Sequence, residues 1–122
     1  MNKILLAEDD NDMRRFLAKA LANAGYEVIS YDNGASAYER LREEPFTLLL
    51  TDIVMPELDG IACIEQLMQL NPDVLILVVS ALSDKATGIE ALEKGARGFL
   101  LKPFTEQDIN DALMELTDFL YV

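Results

Sequence analysis

Five short apolar runs alternate without exception with five stretches of helical periodicity, and few folds accept that order. The runs are Lys3 to Ala7, Glu27 to Tyr31, Phe46 to Thr51, Val74 to Val79 and Gly98 to Leu101. Between them lie helices expected from about Asn11 to Ala24, Gly34 to Glu43, Gly60 to just before Asn71-Pro72, a fourth ending at Lys94, and a last one from Thr105. Gly25 and Gly95 stand where a helix stops, and Pro45 separates the second helix from the third strand. In the first helix Met13, Phe16, Leu17, Ala20, Leu21 and Ala24 form one apolar stripe, opposite Arg14, Arg15 and Lys19. Ile61, Ile64, Leu67 and Met68 do the same in the third helix, as do Ile109, Leu113, Leu116 and Leu120, with Ala112, in the last. Thr105 and Asp108 have the spacing of a capping pair. Short links between β and α units require right-handed crossovers, so the expected architecture is α/β: a five-stranded, doubly wound parallel sheet with helices on both faces. Strand order cannot be read from one sequence.

The chain's 122 residues, 51% of them hydrophobic, suit a single domain spanning residues 1–122. A net charge of −12 disfavours a nucleic-acid-binding face, which needs clustered Lys and Arg, and it also repels anionic lipid. No apolar stretch approaches the length of a membrane span, and Met1-Asn2-Lys3 enters a strand without an export signal, so a cytoplasmic location is expected. Cys63 is the single cysteine and histidine is absent. Ser-His-Asp and Cys-His catalysis, thiolate zinc clusters and His-ligated metals are thereby excluded. Carboxylate chemistry remains. Oxygen ligands suit a hard cation, Mg²⁺ before Ca²⁺, because Mg²⁺ is satisfied by one or two carboxylates together with water and a phosphate.

Polar groups leave a covered parallel sheet at the carboxyl ends of its strands. The first strand runs into Glu8-Asp9-Asp10, the third into Asp52, the fourth into Ser80 and the fifth into Lys102-Pro103. If the first and third strands are neighbours, Glu8, Asp9 and Asp52 approach one another and repel unless a divalent cation accepts them. Lys102 adds an ammonium and Ser80 a hydroxyl. A cation, a lysine and a hydroxyl around one carboxylate fit acyl-phosphate formation, which requires charge on the transferring group to be neutralised. Taken singly, each residue has a plainer reading: Asp52 as a surface acid, Ser80 as a turn residue, Lys102 as a solvated lysine, Phe99 as a core aromatic. Asp10 is read as the cap of the first helix. Cys63 is read as a buried or half-buried group, and Met13, Met68 and Met114 as packing residues.

Glu8-Asp9, Asp52 with Met55-Pro56 and Asp59-Gly60, Ser80-Ala81 and Lys102-Pro103-Phe104 together resemble the receiver domain of two-component response regulators. The resemblance spans essentially the whole chain and implies a flavodoxin-like (βα)5 fold. It implies that Asp52 is the phosphoacceptor, that Mg²⁺ is held by Asp9 directly, by Glu8 through water, by Asp52 and by the Val54 backbone carbonyl, and that Lys102 pairs with the phosphoryl group. Ser80 would turn inward to bond that group, and Phe99 would be the aromatic switch. The Lys102-Pro103 bond is commonly cis in the family. The acid pair departs from the commoner Asp-Asp by having Glu8 first.

The stretch from Glu8 to Gly60 looks like small single-domain receivers of alphaproteobacteria that govern regulated proteolysis in the cell cycle, whereas Val74 to Phe104 looks like a generic receiver, as in a divergent relative or two joined halves. The implied partners are a histidine kinase or histidine phosphotransfer protein. An unidentified output protein would be met through the fourth helix, fifth strand and fifth helix, including Lys94, Phe99, Glu106 and Asp108, and the domain would be a monomer or weak dimer. Two other readings stay open: an aspartate-nucleophile phosphohydrolase, disfavoured because Val54 stands where such enzymes carry a second acid, and a phosphorylation-independent interaction module. No Gly-rich loop follows the first strand, which argues against a nucleotide binder.

Overall fold

A computed structural model describes residues 3–55, 58–70 and 73–118. Its strands are β1 (Lys3–Ala7), β2 (Glu27–Tyr31), β3 (Leu48–Asp52), β4 (Leu75–Ala81) and β5 (Gly98–Lys102). Its helices are α1 (Asn11–Asn23), α2 (Gly34–Glu43), α3 (Gly60–Leu70), α4 (Lys85–Lys94) and α5 (Glu106–Asp118). The five strands pair in the order β2-β1-β3-β4-β5, all parallel. Two features lay beyond the sequence reading: a short antiparallel pair of Val54–Met55 with Leu58–Asp59, and a 3-10 turn at Leu82–Asp84 leading into α4.

Alternation along the strands creates two cores, because successive side chains of a strand point to opposite faces. Leu5, Ala7, Leu49, Ile76 and Val78 meet Ala37 and Leu41 of α2, Ile64 and Leu67 of α3, and Ala91 of α4. Ile4, Leu6, Leu48, Leu50, Leu77 and Val79 meet Leu17 and Leu21 of α1 and Ile109, Leu113 and Leu116 of α5. Each such Leu or Ile contributes on the order of 2 kcal/mol through burial, so the interleaved apolar strands define the sheet's depth as well as its stability. A sheet covered on both faces leaves the strand ends as the route by which polar groups reach solvent.

The helix ends follow local chemistry. Asp10 caps α1, its Oδ2 accepting the Met13 N–H at 2.7 Å, as expected. Asn33 caps α2 by accepting from the Ser36 N–H. Thr105 Oγ1 accepts from the Asp108 N–H at 3.1 Å while Asp108 Oδ2 accepts from the Thr105 N–H at 2.9 Å, a reciprocal capping box. Gly25 and Gly95 both adopt positive φ.

Several side chains depart from the expected stripes. Phe16 is 40% exposed and tilts against Phe104 with centroids 6.3 Å apart; Ala24, beyond the last turn of α1, is also exposed. Arg14 does not face solvent with Arg15 and Lys19 but folds back onto the end of β1. Met13 and Met68 pack partly buried, whereas Met114 is 66% exposed, because the buried stripe of α5 is completed by Ile109, Leu113 and Leu116. Leu120 lies outside the described residues.

Candidate functional site

The strand order reverses between β1 and β3, the chain having gone from β1 outward to β2 and then back across to β3. Such a switch point opens a crevice at the carboxyl ends of the two strands, since their connections leave to opposite faces. Ala7 pairs with Thr51 there, so Glu8 and Asp52 emerge side by side. Ligand oxygens of Glu8, Asp9 and Asp52 all lie within 4.8 Å of one another. Asp9 is exposed, Asp52 is 7% exposed and Glu8 only 1%.

Lys102 closes the group from the other side. It ends β5, two strands away from β3, and its four-carbon stem spans β4 to bring Nζ to 3.2 Å from Asp52 Oδ2 and 3.6 Å from Glu8 Oε1. Burial works to lower the Lys102 pKa, but the carboxylates of Asp52 and Glu8 outweigh it and hold the ammonium above its ordinary value. One ammonium against three carboxyl groups leaves the site short of positive charge. Burial pushes the Glu8 carboxyl up to about 7, and the neighbouring Asp52 charge pushes the same way. The Asp10 N–H, 3.3 Å from Glu8 Oε2, and Lys102 act in the opposite direction. Glu8 Oε1 is buried without a hydrogen-bond partner. Among the described residues it is the one buried side-chain oxygen or nitrogen without a hydrogen bond; such an oxygen is costly, and a hard cation relieves it.

Asp52 is backed by a polar layer absent from the sequence reading. Thr51 Oγ1 donates to the Asp52 carbonyl at 3.0 Å, and the Tyr38 hydroxyl of α2 hydrogen-bonds the side chains of Thr51 and Cys63. Burial, followed by the influence of Cys63, pushes the Tyr38 hydroxyl far above its ordinary value and keeps its proton in place. Cys63 is half-buried, as expected.

Ser80 is buried beside the site, with Oγ 3.1 Å from both the Ala81 and the Asp84 carbonyl oxygens. Its single proton serves one of these at a time, so in this conformation the hydroxyl engages the turn before α4. Phe99 is half-buried on β5 against the α2–α4 core. Gly88 of α4 covers both residues: a Cβ there would meet Phe99 ring carbons at 3.6 and 3.7 Å and Ser80 Oγ at 3.7 Å. Val54 opens the short antiparallel pair directly after the Asp52-Ile53 link. The Lys102-Pro103 bond is cis, as the family resemblance implies.

The model of the response regulator receiver domain matches residues 4–114 of this chain. The chain belongs to that family. This receiver is 53% identical over 109 residues to the response regulator receiver protein CpdR of Brucella abortus, covering 89% of the chain and 91% of the relative. That alignment, by its length, runs past Gly60 into the half whose motifs look generic. The receiver is also 35% identical over 116 residues to the chemotaxis protein CheY of Thermotoga maritima, covering 94% of the chain and 97% of the relative. Among solved structures, a response regulator receiver domain protein from Clostridium thermocellum superimposes with a TM-score of 0.91 over 99% of this chain and 98% of that one, at 23% identity, a likeness of fold. The flavodoxin-like (βα)5 architecture is therefore the receiver's own, and the acidic pocket of Glu8, Asp9 and Asp52 fits aspartate phosphorylation with a divalent cation.

Proposed function

We propose that residues 1–122 act as one receiver domain in which Asp52 accepts a phosphoryl group from a histidine kinase or histidine phosphotransfer protein. The observation that carries this reading is the meeting of Lys102, Glu8 and Asp52 around a Glu8 oxygen that lacks a hydrogen bond: one carboxylate is flanked by an ammonium and by an acid pair suited to a cation. A carboxylate oxygen of Asp52 attacks the phosphorus of a phosphoimidazole. The new O–P bond forms as the N–P bond breaks, its electron pair goes to the ring nitrogen, and the imidazole leaves neutral by taking a proton from solvent. Lys102, 3.2 Å from Asp52 Oδ2, would pair with the phosphoryl oxygens once Asp52 carries the phosphoryl group. Asp9 and Asp52 would bind Mg²⁺ directly, with the Val54 carbonyl, and Glu8 through water; when bound, Mg²⁺ neutralises charge on the group in transfer.

Ser80 and Phe99 carry the response. When the Ser80 hydroxyl leaves the Asp84 carbonyl for a phosphoryl oxygen, the turn before α4 loses a hydrogen bond and Phe99 gains room beneath Gly88. Phosphorylation would thereby bias two conformations of the α4, β5 and α5 surface, which meets an output protein. The receiver is read as a switch that autodephosphorylates slowly, not as a turnover enzyme, as a monomer or weak dimer, and as cytoplasmic. Among the described residues no helix is long and apolar enough to cross a membrane.

Intact mass after incubation with Mg²⁺ and acetyl phosphate tests the reading. One added phosphoryl group in the unsubstituted chain, absent in Asp52→Ala, is expected. An unmodified mass in the presence of bound Mg²⁺ would favour an interaction module that does not need phosphorylation.

A further inference from the structure

We infer that Arg14 is a positioning residue for the acid pair, its guanidinium clamping the turn that presents Glu8 and Asp9. Arg14 lies in the first turn of α1, where the positive end of the helix dipole disfavours a cation. Its side chain nevertheless turns back toward the strand. Nη1 donates to the Glu8 main-chain carbonyl at 2.9 Å, and Nη2 donates to Asn11 Oδ1 at 2.5 Å. Both acceptors are neutral, so the arrangement is a geometric brace rather than an ion pair.

The brace acts where the sheet stops holding the chain. The Glu8 N–H is still bonded to the Tyr31 carbonyl of β2 at 3.1 Å, while β1's pairing with β3 has already ended at Ala7. Arg14 takes up the Glu8 carbonyl, the next polar group along the chain. Asp10 is fixed on the other side of the turn, through its N–H to Glu8 Oε2 and its carboxylate to the Met13 N–H. Asp9 lies between these fixed points, so its direction toward Asp52 depends on both.

The inference rests on the Mg²⁺ reading of the site, and its sign separates it from simple electrostatics. A positive charge near a cation site repels the cation, so on charge alone Arg14→Ala should bind Mg²⁺ more tightly. Positioning requires the reverse, a Kd raised by about tenfold, the lower end of what outer-shell partners contribute. Arg14→Lys keeps the charge but loses the two-pronged brace, and it should also weaken binding. Arg15→Ala removes an equivalent charge from an exposed neighbour and should not weaken it.

Isothermal titration with Mg²⁺ of the unsubstituted chain and these three variants decides the matter, with urea melts in EDTA to establish that each folds. In parallel, the Mg²⁺ concentration giving half-maximal labelling by acetyl phosphate should rise in Arg14→Ala more than the rate at saturating Mg²⁺ falls. Equal or tighter Mg²⁺ binding by Arg14→Ala overturns the inference. Should that variant fail to fold, unchanged binding by Arg14→Lys overturns it and weaker binding upholds it. A lack of Mg²⁺ binding by the unsubstituted chain overturns the reading of the site itself, and the inference with it.

Discussion

Glu8 shows how one residue stores a cost that a ligand can release. Burial of its carboxyl beside the Asp52 charge lifts its pKa from the ordinary 4.5 to about 7, and one of its oxygens lacks a hydrogen bond. Below pH 4.5 Glu8 is neutral in both folded and unfolded chains and nothing is lost. Between 4.5 and 7 the unfolded chain releases the proton first, so the metal-free protein loses stability as pH rises, and above 7 the full cost of the buried charge is present. Glu8→Gln should therefore stabilise the metal-free chain at pH 8 by a few kcal/mol, since each pKa unit corresponds to about 1.4 kcal/mol, and have far less effect at pH 4.5. Urea melts in EDTA at the two pH values measure this. An equal effect at both would mean that the charge is not the source of the cost. From the sequence, Glu8 is legible as an acid at a strand end. Its burial is not, because that depends on which strand lies beside β1.

Among the elements, the link from α4 to β5 is tightly constrained at Gly95. Gly95 closes α4 with φ of 129°, and a Cβ there would lie 2.6 Å from Met68 Cγ and 3.2 Å from Met68 Sδ of α3. Lys94 beside it pairs with Glu65 of α3 at 2.9 Å, although an exposed pair of this kind adds little. Gly25 also has positive φ, 96°, but nothing lies within 4 Å of its added Cβ. Gly25→Ala should cost about 1–2 kcal/mol from the backbone alone, and Gly95→Ala more, because overlap with Met68 is added. Equal losses in chemical denaturation would show that Met68 moves aside freely. Both glycines read as helix stops in the sequence. Their difference is a matter of what another helix places above them.

For the whole molecule, a net charge of −12 on 122 residues means self-repulsion in the folded state that salt should screen. Tm is expected to rise with added NaCl, and to rise further with Mg²⁺ at matched ionic strength. The specific part should reach about 2.7 kcal/mol at a hundredfold excess over Kd. Asp9→Ala should abolish the Mg²⁺-specific part and keep the response to NaCl; a Tm that follows ionic strength alone would argue against a metal site. The alternation of strands and helices, the capping by Asp10 and by Thr105 with Asp108, and the acids and the lysine at the strand ends are legible from the order of residues, because each is set by neighbours a few positions away. Folding in three dimensions adds that β1 and β3 are adjacent, that Lys102 reaches Asp52 across β4, that Ser80 engages Asp84, and that Arg14 turns back onto Glu8. The first two join elements that burial of the two cores brings together, and periodicity along one chain carries no record of which element lies beside which; the last two are local, and depend on which of several acceptors a side chain chooses at the end of a strand.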